Sequence, residues 1–301
     1  MDFDQLVRNG KVKRIFRAKR KITTPDIVSH ITQRAAGKDP LFLEDSDYLF
    51  MLAELKVIAE KRSLDVYAFC LMPTHIHLLA SPREDELQEP MRDLFSRYAM
   101  RFNKKYMRKG HLFAGPYRQA ICLDDAYLLA ASLYIHMNPV RAGLVDDPRN
   151  FRWSSVRVFY DPQAPKSFLK PGFILRLLSS SDETSKAVYL ELMMRSIKLD
   201  VGDALEQADA VVRFRRAVGR LFPSIFSAAG SRTRFHEQTG VSLIAEEEIE
   251  KQLLGKSSPT GIQAKRFLIQ QLIARGYKRQ EIAEKLNVSV KTVYNILHAP
   301  E

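Results

Sequence analysis

Two histidines one residue apart, His75 and His77, and a tyrosine and an asparagine four apart, Tyr134 and Asn138, are the residues of this 301-residue chain whose types and spacing could do chemistry. On a β-strand successive side chains face opposite ways, so His75 and His77 share a face while Ile76 points away. Two imidazoles on one pleated surface can grip a divalent cation. On a helix, residues four apart lie together, so Tyr134 and Asn138 present a phenol and a carboxamide side by side. A phenol next to a metal-binding histidine pair has the parts for phosphodiester cleavage: the metal polarises a phosphate oxygen and the tyrosine oxygen attacks phosphorus. A histidine pair on a strand is by itself more often a packed or surface feature. The Tyr134 segment is what gives this pair a reaction to serve.

The elements that must position these groups are legible around them. Apolar runs flank Met72-Pro73-Thr74 and read as two paired strands, the second carrying the histidines. Asp124 as N-cap, Ala and Leu filling, and a stop at Pro139 predict one helix of about four turns bearing Tyr134. Tyr127 lies two turns earlier on nearly the same face and is the rival nucleophile. Upstream, residues 27 to 32 alternate as a first strand. Asp45-Ser46-Asp47 opens a helix with Leu49, Leu52, Leu55, Ile58 and Ala59 on one face, and residues 64 to 70 return as a strand. Strand, helix, strand, hairpin-paired strand is the beginning of a ferredoxin-like order in the α+β class. Residues 86 to 105 read as a second helix, and a glycine-punctuated loop from Gly110 to Gly115 leads to a strand before the Tyr134 helix.

Leu71-Met72-Pro73 before His75-Ile76-His77, then Tyr134-Ile135-His136-Met137-Asn138-Pro139-Val140-Arg141-Ala142-Gly143-Leu144-Val145 and Trp153-Ser154-Ser155, resemble the HUH single-tyrosine transposases, in particular the REP-associated tyrosine transposase branch. The likeness covers about residues 10 to 160. It implies a ferredoxin-like HUH nuclease core, an antiparallel sheet with helices on it. It further implies Mg²⁺ or Mn²⁺ held by His75 and His77 with Asn138 as third protein ligand. Tyr134 would attack single-stranded DNA near a hairpin, leaving a 5′-phosphotyrosine link and a free 3′-hydroxyl. Because the resemblance takes the third ligand from the Tyr134 helix, His30 on the first strand is expected to be a packed residue.

Charge points to the same partner. The net charge is +12, which favours a polyanion, and 46% apolar residues suit a globular chain. No apolar run approaches the roughly 20 residues that span a bilayer, and the N-terminus has charges where a secretory signal needs an apolar centre. The expectation is a soluble, cytoplasmic, nucleoid-associated protein with no membrane partner. Cys70 and Cys122 are the only cysteines; without close spacing they build no zinc site and are expected as buried thiols.

Three basic regions are candidate DNA surfaces. Residues 8 to 21 hold eight cations and no acid, and Lys13, Arg14, Arg17, Lys19 and Arg20 are expected to contact phosphates. Along and after the second helix, Arg97, Arg101, Lys104, Lys105 and Arg108 interleave with aromatics. Phe102 is expected in the core, Tyr106 as a stacking platform for a base, and Arg118 is counted with this group. At the C-terminus, residues 279 to 297 resemble a helix-turn-helix. Ile282, Leu286, Val288, Val293 and Ile296 would form its core, Asn287 replaces the usual turn glycine, and Ser289, Lys291, Thr292 and Asn295 face DNA.

The domain expectation is a basic arm at 1–21, a nuclease domain at 22–160 closed by the Trp153-Ser154-Ser155 segment, a helical middle region at 161–255 with no identifiable chemistry, and a helix-turn-helix domain at 256–301. Two functions fit: a metal-dependent single-stranded DNA endonuclease and strand transferase, or a non-catalytic, sequence-specific DNA-binding regulator that keeps a nuclease-like platform. Initiation of replication or transfer by a related nuclease would share the first chemical step. Monomer and homodimer both stay open.

Overall fold

The computed structural model describes residues 26–37, 39–84, 87–122, 124–197, 199 and 210–230, and in the C-terminal part 265–266, 268–269, 272, 277 and 279–298. The basic arm with Lys13, Arg14, Arg17, Lys19 and Arg20 lies outside the described residues.

Four antiparallel strands form the sheet: β1 (Ser29–Arg34), β2 (Leu64–Met72), β3 (His75–Pro82) and β4 (Arg118–Ile121), in the order β2-β3-β1-β4. Helices α1 (Asp45–Lys61) and α2 (Gln88–Lys105) connect them in the βαββαβ order of a ferredoxin-like fold. The register is explicit: His75, His77 and Leu79 of β3 stand opposite Met72, Cys70 and Ala68 of β2 and opposite Arg34, Thr32 and His30 of β1. Opposed residues share a face, so these nine side chains lie on one side of the sheet. Ile31, Ile76, Leu78 and Ala80 lie on the other, in one apolar core with Leu55 and Ile58 of α1 and Leu94 and Tyr98 of α2. Strand β1 begins two residues later than the alternation suggested, which carries the pattern on to Arg34.

Helix α3 (Asp125–Arg141) covers the histidine face, sharing a core with Ala68, Cys70, Met72 and Leu79. It starts where Asp124 Oδ1 accepts the Tyr127 N–H at 2.6 Å, a cap worth about 1 kcal/mol. It does not stop at Pro139. The lost N–H of Pro139 forfeits only the bond to the Ile135 carbonyl, whereas every residue from Asp125 to Pro139 is buried and packing holds the helix together. The stop is Gly143, whose φ of +66° reverses the chain while its N–H donates to the Val140 carbonyl and the Leu144 N–H to the Pro139 carbonyl, both at 2.9 Å.

Beyond α3 the chain runs along the β2 edge of the sheet and then packs on α3. Ser154 bridges to Cys70 beside β2, and Ser155 Oγ accepts the Phe69 N–H at 2.8 Å. Single helical turns at Arg157–Tyr160 and Gly172–Leu175, then α4 (Asp182–Ser196), α5 (Ala210–Leu221) and α6 (Pro223–Gly230), follow. Phe159, Tyr189, Leu192 and Phe214 from these elements join the α3 core.

The C-terminal residues form a small core of their own. Helices α7 (Arg279–Lys285) and α8 (Val290–His298) pack through Ile282, Ala283, Val293 and Ile296 against Leu268, Ile269 and Leu272. Asn287 takes φ +49° in the turn, the left-handed conformation asparagine tolerates better than most residues. Ser289 Oγ accepts the Thr292 N–H at 3.0 Å and caps α8. Among the described residues no helix is long and apolar enough to cross a membrane.

Candidate active site

Pairing of β3 with both neighbours puts His77 at the centre of the sheet, and the period-2 alternation turns it toward α3. The Tyr134 ring comes down from α3 to meet it edge-on, 5.8 Å between centroids, and meets the His30 ring at 6.0 Å. His75 stands edge-on to His77 at 4.9 Å. Three strand imidazoles and one helix phenol thus converge.

Each histidine nitrogen has a distinct setting. His77 Nδ1 lies 2.9 Å from His30 Nε2 and 3.4 Å from Thr32 Oγ1. Among the described residues, His77 Nε2 is buried with no hydrogen-bond partner. A buried polar atom left so is uncommon and calls for an explanation such as a ligand. His75 Nδ1 shares a hydrogen bond of 3.2 Å with Thr74 Oγ1. Burial, then the nearby charges of His75, His30 and Arg34, hold His77 well below the usual imidazole range, and burial pushes His30 down to about 4. Both rings are therefore neutral near pH 7, the state in which imidazole offers a lone pair.

Asn138 sits one turn beyond Tyr134, and its Nδ2 donates to the Tyr134 carbonyl at 2.9 Å. That bond turns the amide nitrogen back onto the helix. Among the described residues no group of three His, Cys, Asp or Glu could hold a metal ion. A site here would have to draw on another residue type, such as an amide oxygen, which hard cations accept.

The site is covered. Tyr134 is 1% exposed and His77 2%, and Phe214 of α5 lies against the Tyr134 ring at 5.9 Å. Arg141 in turn stacks over Phe214 at 5.1 Å, and Arg215 pairs with the capping Asp124 at 3.3 Å. The segment that carries Phe214 showed no chemistry in the sequence.

Arg34 also escaped sequence reading. It stands directly opposite His75 on β1, and its charge depresses His77. The signal was present in the alternation His30, Thr32, Arg34. His136, beside Tyr134 in sequence, belongs to the core instead: Nδ1 bonds the Tyr189 hydroxyl and Nε2 the Ser155 hydroxyl, both at 2.8 Å.

The cations singled out from the sequence divide by face. Arg118 of β4 is opposite Thr32, which is itself opposite His77, so this exposed arginine is on the histidine face. Helix α2 packs on the other face, which carries Arg97, Arg101 and Lys104 away from Tyr134. Arg97 pairs with Glu54 at 3.5 Å and Arg101 lies over the Phe50 ring at 4.3 Å. Lys105 donates to Asp47 and Glu44, both at 2.6 Å, and the Tyr106 hydroxyl donates to Asp47 at 2.7 Å while its ring packs on Phe102. Arg108 pairs with Asp39 at 2.9 Å. Lys105, Tyr106 and Arg108 are thus engaged within the domain. In the C-terminal unit Ser289, Lys291 and Asn295 are exposed and Thr292 half-buried along α8.

Two stretches of the chain resemble known protein families. The family model of IS200-like transposases matches residues 23–138, a span that contains His75, His77 and Tyr134 and ends on Asn138. The model of a homeodomain-like domain matches residues 263–301. A solved structure of a REP-associated tyrosine transposase bound to a REP hairpin aligns with 52% of this chain and 94% of its own, at 13% identity and a TM-score of 0.43. No curated protein matches the chain. Residues 23–138 are thus similar to the IS200-like transposases, and residues 263–301 to a homeodomain-like domain.

Proposed function

We propose that this chain acts as a transposase that cleaves single-stranded DNA near a hairpin through Tyr134, with Mg²⁺ or Mn²⁺ held by His75, His77 and Asn138. The observation that carries the reading is the meeting of Tyr134 with His77, whose Nε2 is buried without a partner. The Tyr134 oxygen forms a bond to phosphorus as the bond from phosphorus to the 3′-oxygen breaks. The phenolic proton is lost, and the leaving oxygen takes up a proton to become a 3′-hydroxyl. The 5′ end stays on the protein as a phosphotyrosine, and attack by another 3′-hydroxyl would transfer the strand and release the tyrosine.

A bound divalent ion would supply Lewis-acid polarisation of the phosphoryl oxygen. The chain's own residues do the rest. His75 and His77 offer imidazole nitrogens from one strand, and Asn138 an amide oxygen one helical turn from the nucleophile. Arg34 and Arg118 lie on the same sheet face, where cations attract the phosphate backbone. The homeodomain-like unit, with Lys291 and Asn295 exposed on α8, adds affinity for duplex DNA.

The test is incubation with single-stranded hairpin oligonucleotides and Mg²⁺ or Mn²⁺. The expected result is one fragment ending in a 3′-hydroxyl and its complement attached to protein, with EDTA and the substitutions His75→Ala and His77→Ala stopping both. DNA binding with no cleavage under any of these conditions would leave the regulator reading, in which the C-terminal unit does the work.

A further inference from the structure

We propose that His30 is a positioning residue: it accepts a hydrogen bond from His77 Nδ1–H and so fixes the imidazole tautomer whose Nε2 lone pair is open to a cation. This rests on the reading of His75 and His77 as metal ligands.

A neutral imidazole has one N–H and one lone pair. Two neutral rings that share one hydrogen bond must therefore adopt complementary tautomers. The His30 and His77 rings lie nearly parallel, 23° apart with 5.1 Å between centroids, and the 2.9 Å contact joins His30 Nε2 to His77 Nδ1. If His77 accepted at Nδ1, its proton would sit on Nε2, which is buried and has no acceptor. An unpaired buried donor is the costlier arrangement. If His77 donates from Nδ1, Nε2 carries a lone pair, and a metal ion satisfies it. With its own proton on Nδ1, the His30 ring has a lone pair at Nε2 to offer across the 2.9 Å contact.

The register explains why His30 can do this and cannot double as a ligand. It faces the same way as His77 but on the neighbouring strand, opposite Leu79. Its Nε2 is directed at the ligand ring and not at a point the two rings could share. Thr32 Oγ1 reaches the same His77 Nδ1 only at 3.4 Å, at the long limit of a hydrogen bond. Partners of this kind orient metal-binding histidines and raise their basicity.

The experiment uses the full chain without DNA. Mn²⁺ dissociation constants are measured by electron paramagnetic resonance of the free ion for wild type, His30→Phe, His30→Gln and His77→Ala, and the side-chain tautomers of His77 by long-range ¹H–¹⁵N correlation. Wild type should show the His77 proton on Nδ1. His30→Phe should weaken Mn²⁺ binding by roughly 10–100-fold and move His77 toward the Nε2–H form. His30→Gln, whose amide oxygen can accept the same proton, should stay within a few-fold of wild type, a rescue that a purely space-filling role would not give. If wild type binds and His30→Phe binds equally well, or if wild-type His77 carries its proton on Nε2, the positioning role is overturned while the ligand reading stands. If wild type binds no Mn²⁺ that His77→Ala weakens, the ligand reading falls and takes this role with it. Should His30→Phe not fold, the wild-type tautomer and the His30→Gln affinity still decide.

Discussion

The Tyr134 ring stands edge-on to the His77 ring with 5.8 Å between centroids, one borne by a helix and the other by the central part of a sheet. Nothing local in the chain brings them together. The meeting follows from two periodicities, the alternation that turns His77 to one side of β3 and the packing of α3 across that side. It makes the pairing of the proposed nucleophile with the proposed metal ligands a property of the folded domain.

The cover over Tyr134 gives the first prediction. Phe214 is fully buried against the phenol, so Phe214→Ala should cost roughly 3–5 kcal/mol of stability and expose Tyr134. Nitration by tetranitromethane, mapped by mass spectrometry on folded protein, should be several-fold faster at Tyr134 than in wild type. An unchanged rate would mean that another element shields the ring.

Arg118 and Lys105 should separate cleanly. Arg118 is exposed on the histidine face, and Arg118→Ala should weaken single-stranded DNA binding and reduce the slope of log affinity against log salt by about 0.7. Lys105 is held by Asp47 and Glu44, so Lys105→Met should lower the unfolding temperature and leave the slope alone. A slope change with Lys105→Met and none with Arg118→Ala would place the strand on the α2 face.

Acid should destabilise the domain through His136. Burial pushes this histidine from 6.5 down to about 3, so below 6.5 the unfolded chain takes up a proton that the folded chain refuses. The stability it contributes is whole above pH 6.5 and is lost as pH falls toward 3, at about 1.4 kcal/mol per pH unit. In His136→Gln the fall in unfolding free energy between pH 6.5 and 4 should be shallower by that slope. An identical pH dependence in the variant would assign the acid sensitivity to other groups.

The C-terminal unit should act on duplex DNA alone. Lys291→Ala and Asn295→Ala, both at exposed positions of α8, should weaken duplex binding about tenfold together and leave cleavage of a hairpin oligonucleotide at wild-type rate. Loss of cleavage in these variants would show that the two DNA contacts are coupled.

Much of this arrangement was legible before the fold. His75 and His77 could be put on one face because the period of a strand is two, and Tyr134 and Asn138 side by side because four residues nearly complete a helical turn. The left-handed Asn287 was readable from residue type. The end of α3 was not: Pro139 weakens a helix locally, but burial through Pro139 let it run on to Arg141, two residues before the left-handed Gly143. Tyr106 misled for a related reason, since its partner Asp47 lies on another helix and no pattern near residue 106 announces it. Arg34 was overlooked because β1 runs past the point where its apolar alternation fades. Phe214 could not be found at all. Its role depends on which helix packs over α3, a long-range choice that amphipathic periodicity alone does not specify.

The central claim is tested most directly by trapping the covalent product. Wild-type protein, incubated with a single-stranded hairpin oligonucleotide and Mg²⁺ or Mn²⁺, is digested and mapped by mass spectrometry for a nucleotide-bearing tyrosine, alongside Tyr134→Phe and Tyr127→Phe. The account predicts a 5′-phosphate linked to Tyr134, its retention in Tyr127→Phe, and its complete loss in Tyr134→Phe with DNA affinity nearly unchanged. An adduct that survives Tyr134→Phe, or one that maps to Tyr127, would contradict it.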